Sequence, residues 1–140
     1  MTFEEEDEDV WVAEDAALPG GRPAVRVSVI RSDGQGAPTP VEVAAIELVL
    51  SNIDAVIAAD AVLLLRNYSR DHFQSLGVPE DRLVEETPEA VAAAVTLEEV
   101  AFFDLAAGEY ETSYALPWDE RHVASVEHEQ GEPTSCAFNG

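Results

Sequence analysis

The residues best suited to chemistry are concentrated in one stretch near the end of the chain, YALPWDERHVASVEHE, which covers residues 114–129. It contains the adjacent acids Asp119 and Glu120, followed two positions later by His122. A histidine and a carboxylate can transfer protons, but a general acid and a general base must be held in different environments. Three groups so close together in one turn do not meet that condition, so the sequence predicts no catalytic residues.

The same stretch is better suited to binding or to a corner between two strands. Pro117 disfavours strand pairing, and the two acids that follow Trp118 suit an exposed turn. Trp118 is then either a core residue at the end of a sheet or a contact residue for a partner, because tryptophan is common in both settings. Both interpretations stay open, and Trp118, Asp119 and Glu120 become candidate partner-binding residues.

Metal sites and nucleophiles find little support in the sequence. His122 and His128 would lie on one strand about 20 Å apart, too far to share an ion. His72 borders an apolar helix stripe, where packing is the simpler role. Cys136 has no basic neighbour in the sequence that would lower its pKa. Because the usual phosphate-loop, nucleophile and zinc motifs are missing as well, we predict neither an enzyme nor a cofactor.

A second group of candidate binding residues lies on a predicted helix. Asp60, Asn67 and Asp71 are spaced by seven and four residues, which places them on one flank of a helix. This flank can meet an arginine within the fold or a basic group of a partner, and a solvated flank is the common alternative. Asp60 and Asp71 therefore join the candidate partner-binding residues.

The charge balance limits the partners that this surface can bind. The 140-residue chain has 29 acids and 7 basic residues, all of them arginine, and a net charge of −22. Nucleic acids and anionic membranes are bound through lysine and arginine contacts, so we exclude both as partners. The charge favours a basic protein partner, or else serves only solubility. The oligomeric state is not predicted.

The expected compartment is the cytoplasm of a bacterium. The opening residues, MTFEEEDEDV, lack the basic and apolar segments of a secretory signal. Cys136 is the only cysteine, which excludes a disulfide within the chain. No apolar run approaches the ~18 residues, free of charge, that a membrane-spanning helix needs.

The chain is predicted to begin with an acidic arm that precedes a single domain. Residues 4–9 are six consecutive acids, and their mutual repulsion predicts a flexible arm over residues 1–9. The domain then covers residues 10–140. A short strand near residues 10–13 and an alternating strand near residues 24–31 open this domain.

Two apolar helices are predicted next, after a loop at residues 32–36. Thr39 and Glu42 form a capping box that begins the first helix, which runs to about residue 51. The second helix runs over residues 53–76 and stops at a glycine. Whether these are two helices or one helix bent near Asn52 is left open.

The last part of the chain is predicted to be mainly β-structure. A short helix capped by Thr87 precedes four strands that are separated by short loops. The predicted strands cover residues 97–104, 109–116, 122–128 and 134–138. They form an antiparallel meander with the last strand at an edge, and the fold class is α+β, with apolar helices packed on that sheet.

Residues 97–140 resemble small bacterial domains that act as immunity proteins beside polymorphic toxins. The likeness lies in Tyr110, Tyr114, the segment LPWDERH and the closing EQGEPTSCAFNG. It implies a small α+β protein that blocks a cognate toxin, and it assigns no site residue.

The sequence therefore predicts an immunity or antitoxin-like protein that neutralises a basic protein partner by stoichiometric occlusion. A nuclease toxin is one such partner, because its cleft must attract phosphate and an acidic protein is complementary to it. Two alternatives remain: an acidic structural or adaptor domain, and an enzyme whose site is assembled from distant residues.

Overall fold

The structure is a computed structural model that describes residues 1–31 and 35–140. Strands open and close the described chain, and its helices lie between the third and fourth strands. In chain order the elements are β1 (Glu4–Asp7), β2 (Val10–Ala16), β3 (Val25–Ile30), α1 (Pro40–Ser51), α2 (Ile53–Leu65), α3 (Arg70–Ser75), a 3₁₀ turn (Glu80–Arg82), α4 (Pro88–Ala94), β4 (Thr96–Asp104), β5 (Glu109–Leu116), β6 (Asp119–Glu129) and β7 (Glu132–Asn139).

The strands form one seven-stranded sheet in which spatial order follows chain order, from β1 to β7. The antiparallel meander over β4–β7 and the α+β fold class are confirmed, and β7 is an edge strand as predicted. One pairing was not predicted, because β3 and β4 are parallel neighbours. Parallel strands need a long crossover connection, and here all four helices lie in that connection.

The helices cover one face of this sheet. Alternate side chains of the central strands, such as Val27 on β3 and Tyr114 on β5, belong to one buried cluster with the apolar helix residues. Ile46, Ile53 and Ile57 are the largest buried aliphatic side chains that α1 and α2 contribute. Because strand side chains alternate between faces, the intervening residues point to the other side of the sheet.

The first two helices are separate elements. Thr39 accepts a hydrogen bond from the Glu42 backbone N–H and donates its own N–H to the Glu42 carboxylate, so the predicted capping box is confirmed. The chain bends by 64° at Asn52, between α1 and α2. Within the described residues, neither helix alone is long and apolar enough to span a membrane, and only the bent pair passes that test together.

The predicted helix over residues 53–76 is wrong in its middle. It ends at Leu65, and α3 begins afresh after Ser69, whose hydroxyl accepts the His72 backbone N–H at 3.3 Å. Between the two helices Tyr68 turns into the core, where its hydroxyl bonds to both backbone groups of Val84 at 2.9 Å. The predicted stop holds, since Gly77 follows α3 with a φ of 90° that favours glycine.

The predicted acidic arm differs from the structure. Glu4–Asp7 is an edge strand that pairs antiparallel with β2, with Glu4 opposite Val12. Arg26 on β3 stabilises this edge, because its Nη2 donates to a carboxylate oxygen of Glu6 at 2.6 Å. The mobility of residues 1–9 stays a prediction. The loop predicted at residues 32–36 lies in part outside the described residues, which omit 32–34.

Candidate functional site

The corner between β5 and β6 holds the residues that the sequence singled out first. Pro117 and Trp118 form the turn, and Trp118 is only 3% exposed. Its ring packs against Tyr68 with 4.4 Å between ring centroids. The structure therefore supports the interpretation of Trp118 as a core residue. A role for Trp118 in partner binding stays a prediction.

The two acids after Trp118 are each paired inside the chain. The Asp119 carboxylate bonds to Nδ1 of His122 at 2.8 Å and also accepts the Arg121 backbone N–H at 3.2 Å. Glu120 forms a salt bridge with Arg82. These partners reduce the charge that the corner offers to another molecule. A role for Asp119 and Glu120 in partner binding stays a prediction.

An open cleft of about 590 Å³ separates this corner from the end of α3 and the segment that follows it. One wall carries Leu76 and Arg82, and the other carries Trp118, Arg121 and His122. No cluster of metal-ligating side chains suitable for an ion occurs in the described part of the chain. The cleft therefore combines apolar walls with cationic and imidazole groups.

Asp60 is the largest departure from the sequence prediction, because it is fully buried at 0% exposure rather than on a solvated flank. Its Oδ2 accepts hydrogen bonds from Thr112, at 2.7 Å, and from the Tyr114 hydroxyl. Its Oδ1 lies 2.7 Å from Nε2 of His128. Asp60 is therefore not accessible to a partner in this structure. It links α2 to β5 and β6 across the core.

The hydrogen bonds around His128 fix the proton on one of its ring nitrogens. Its Nδ1 lies 3.1 Å from the carbonyl oxygen of Tyr110, which can only accept a hydrogen bond. Nδ1 therefore carries a proton, and Nε2 faces the Asp60 carboxylate. This network is buried, because the side chains of His128 and Asp60 are 1% and 0% exposed.

Burial and the charge of Asp60 also raise the pKa values of two neighbouring side chains, Tyr114 and Cys136. Burial, followed by the Asp60 charge, raises the pKa of the Tyr114 hydroxyl well above its ordinary value. The same two causes raise the pKa of the Cys136 thiol to about 11. Cys136 is therefore a thiol at neutral pH, and the thiolate that nucleophilic chemistry needs is disfavoured.

Asp71 is exposed in α3 and does not share a helix with Asp60. The break after Leu65 separates them, so the predicted single flank does not form. Of the five candidate partner-binding residues, the structure brings Trp118, Asp119 and Glu120 together at one corner. It places Asp60 in the core and leaves Asp71 on the surface of the helix layer.

The sheet face opposite the helices, called the open face below, carries many small and acidic side chains, together with Arg26, Val12 and Val123. Its centre is Ser28, Ala101, Ser113 and Ser125, which follow from the strand register. The glutamates around them include a group of eight, namely Glu4, Glu6, Glu14, Glu99, Glu109, Glu111, Glu127 and Glu129. The buried apolar side chains of the described helices belong to the core on the other face.

Few of these glutamates have a cation beside them. Arg26 forms salt bridges with three, namely Glu6, Glu14 and Glu99. Subtracting these three from the eight leaves five without a salt bridge to any described residue. The open face is therefore strongly negative, and the described helices pack on the other side of the sheet.

Two of the five lie directly opposite each other. Glu111 on β5 pairs in register with Glu127 on β6. Burial and then the Glu127 charge raise the pKa of the Glu111 carboxyl, and a hydrogen bond from Ser125 opposes that rise only in part. Like charges directly opposite each other destabilise a sheet. The chain therefore tolerates an unfavourable contact at this position.

We expect Glu111→Gln to stabilise the protein at neutral pH by about 0.2–1 kcal/mol, the range for cross-strand charge pairs. Because the folded-state pKa is raised, ionisation of Glu111 costs stability as pH rises from its ordinary value of 4.5 through the raised pKa. The stability gained by Glu111→Gln should therefore be complete at pH 7 and should vanish at pH values below the ordinary pKa of 4.5. Urea unfolding across this pH range measures it.

The exposed Glu98 on β4 provides the control for this experiment. Glu98→Gln removes the same charge from the same sheet without relieving the pair at Glu111. An equal gain for both variants would attribute the effect to net charge alone and would contradict the local explanation.

An exposed aromatic side chain lies among the acids of the open face. Phe103 on β4 is 49% exposed, and it shares a shallow depression of about 290 Å³ with Glu109, Glu127 and Glu129. The sequence reasoning missed this residue. The signal was the pair Phe102–Phe103, because adjacent strand residues point to opposite faces and only one of two phenylalanines can enter the core.

Comparisons with protein-family models, with curated proteins and with solved structures find no match to this chain. The resemblance of residues 97–140 to immunity domains therefore stays a prediction. The function must be argued from the charge, the open face and the side chains described above.

Proposed function

We propose that this chain is a binding protein that neutralises a basic protein partner by covering part of its surface, in the manner of an immunity or antitoxin protein. The observation that carries the proposal is the open face, where five glutamates have no salt bridge to any described residue. A basic partner would supply the missing cations. Complementary charge speeds encounter and selects the partner.

Phe103 gives this face an anchor as well as a charge. An arginine of the partner can stack on the exposed ring while its guanidinium bonds to Glu127 or Glu129. Aromatic side chains in such settings carry a large share of binding energy. The small side chains at the centre of the face leave space for the partner to approach closely.

The repulsion between Glu111 and Glu127 also supports the proposal. The free protein tolerates this pair at a cost in stability. A cation from a partner placed between the carboxylates would convert the repulsion into attraction. A solubility role alone does not require two acids in directly opposed positions, since solvated acids elsewhere on the surface serve solubility equally well.

A toxin that acts on nucleic acid is the partner class with the best chemical fit. Such an enzyme attracts phosphate with a basic cleft, and an acidic sheet face can occlude that cleft. The first experiment retains proteins of the native host on the immobilised chain and identifies them. We expect a basic protein whose enzymatic activity falls to zero at an equimolar ratio with this chain. A retained protein that keeps its activity would support the adaptor alternative instead.

The partner obtained in this way allows the binding surface to be tested. We expect Phe103→Ala to weaken binding by about 2 kcal/mol or more, which is the effect of a hot-spot residue. Glu111→Gln with Glu127→Gln should slow association and reduce its dependence on salt. Binding kinetics at rising salt concentration measure both effects.

Two further double variants make this test specific: the first is a control for charge, and the second tests the alternative site. Glu47→Gln with Glu85→Gln removes the same charge from exposed positions of the helix layer and should leave the kinetics nearly unchanged. Asp119→Asn with Glu120→Gln examines the corner that the sequence predicted. A loss of binding confined to the corner variant would move the site there, and salt-independent affinity would refute the charge argument.

A further inference from the structure

The cleft beside the β5–β6 corner has the dimensions of a small-molecule site. Its volume of about 590 Å³ falls within the range of roughly 300–1,000 Å³ that is common for ligand pockets. It lies at the end of the sheet, away from the central positions of the open face. The proposed function does not use this cleft, so the residues that line it need a separate explanation.

The cleft contains a cation that has no partner in an exceptionally acidic protein. Arg121 forms no salt bridge with any described residue, although the chain has 29 acids. Within the described chain, salt bridges engage Arg22, Arg26, Arg31, Arg70 and Arg82. A guanidinium left free among so many carboxylates is available to an external anion.

The neighbouring polar groups are held in place by their own partners. His122 is fixed by the 2.8 Å contact between its Nδ1 and Asp119, and its side chain remains 43% exposed. Its other ring nitrogen has no hydrogen bond to a described residue. Arg82 is held by Glu120. Both acids of the cleft are therefore engaged within the chain, Asp119 by His122 and Glu120 by Arg82, whereas Arg121 has no salt bridge to a described residue.

The rest of the cleft is apolar. Leu76 is 65% exposed on the wall formed by the end of α3, and Val78 and Pro79 continue that wall. The opposite wall is formed by Pro117 and the edge of Trp118. A ligand that contacts these walls gains from burial of apolar surface, at roughly 25 cal/mol per Å².

We propose that this cleft binds a carboxylate that is attached to an apolar body. The planar guanidinium of Arg121 matches the two oxygens of a carboxylate, and a single unmatched cation suits a single negative charge. A phosphate carries more charge and would meet the repulsion of the whole acidic protein. The apolar body lies along Leu76 and Val78, and His122 donates from, or accepts at, its free nitrogen.

Two sources supply this chemistry: a free small carboxylic acid, or the terminal carboxylate of a peptide that ends in an apolar residue. The probes are benzoate and hexanoate for the first source, and a pentapeptide that ends in leucine for the second. Benzamide, hexanamide and the amidated pentapeptide are the neutral controls. Binding is followed by calorimetry and by the fluorescence of Trp118 in a Trp11→Phe protein, where it is the remaining tryptophan.

We expect saturable binding of at least one carboxylate and no binding of its amide. Arg121→Gln should weaken that binding roughly 10- to 100-fold, the effect of losing a charge-assisted hydrogen bond. Arg66→Gln is the matched control, because Arg66 is also exposed without a salt bridge to a described residue and does not line the cleft. Its binding should equal that of the unmodified chain.

The result also identifies the source of the carboxylate. Preference for the pentapeptide indicates the end of a protein chain, and preference for benzoate or hexanoate indicates a free acid. Absence of saturation for every carboxylate, equal binding of acid and amide, or equal losses in the Arg121 and Arg66 variants would each overturn the proposal. These measurements do not involve the basic partner, so failure of one proposal leaves the other standing.

Discussion

Replacement of Asp60 by alanine is expected to lower the free energy of unfolding by about 3–5 kcal/mol, the cost of breaking a buried ion pair from one side. The variant leaves the hydroxyls of Thr112 and Tyr114 without their acceptor, and Nε2 of His128 without the carboxylate. Each buried polar group that loses its partner adds a desolvation penalty. Chemical unfolding measures the loss.

Asp54→Ala is the matched control for Asp60. Asp54 lies on the same helix, but its side chain is 70% exposed and its only described ion pair is with Arg22. Exposed pairs contribute less than about 1 kcal/mol. Similar losses for the two variants would mean that the buried network contributes no more than a surface pair, and would contradict the prediction.

A double variant separates the lost ion pair from the lost volume. Asp60→Leu with His128→Leu removes both charges and fills the space with apolar atoms. Because a buried pair is often replaced by apolar groups at little cost, we expect the double variant to be less destabilised than the sum of the two single variants. Additive losses would show that the two side chains do not act as a pair.

Local signals allowed much of the secondary structure to be predicted from the sequence. Thr39 and Thr87 cap helices by short-range hydrogen bonds, so three or four residues suffice to recognise each start. The strand Glu109–Leu116 was predicted with its observed bounds, because alternation over eight residues is also a local pattern.

The position of Asp60 could not be predicted in the same way. Its hydrogen-bonding partners are 52, 54 and 68 residues away in the chain, and no short segment shows that they meet. One local signal was available, since α2 is apolar around its whole circumference over AVIAADAVLLL. A helix of that kind is expected to be deeply packed, and an acid on its buried side must find internal partners. The other side of α2 is nevertheless open to solvent, with Val62 41% exposed.

Two other features could not be predicted because they depend on residues distant in the sequence. They are the pairing of β3 with β4 and the open face. The described residues between these strands form four α-helices, and the sequence does not show that the chain returns parallel to β3. Without that pairing, the eight glutamates appear as scattered acids. The sequence therefore predicted an acidic binding protein but placed its site at Trp118, where an aromatic and two acids are adjacent in the chain.

Trp118→Ala is expected to destabilise the protein by about 3–5 kcal/mol, as is usual when a large aromatic side chain is removed from a core. The change removes the tilted ring contact with Tyr68 and opens a void next to the segment that Tyr68 holds through Val84. For a domain of this size the loss corresponds to a fall in the melting temperature of roughly 10–20 °C. Trp118→Phe keeps an aromatic contact and should lose less.

Trp11 on β2 provides the comparison that decides between a core and a contact role for Trp118. Trp11 is only partly buried and does not belong to the core cluster, so Trp11→Ala should cost less than Trp118→Ala. The melting temperatures of Trp118→Ala, Trp118→Phe and Trp11→Ala measure these differences in stability.

One result would contradict the core role of Trp118. If Trp118→Ala had the melting temperature of the unmodified chain and lost only partner binding, Trp118 would be a contact residue and not a core residue of the free protein. We expect the reverse: a large loss of stability, with the partner still bound through the open face at temperatures where the variant is folded, because Phe103 and its surrounding glutamates are unchanged.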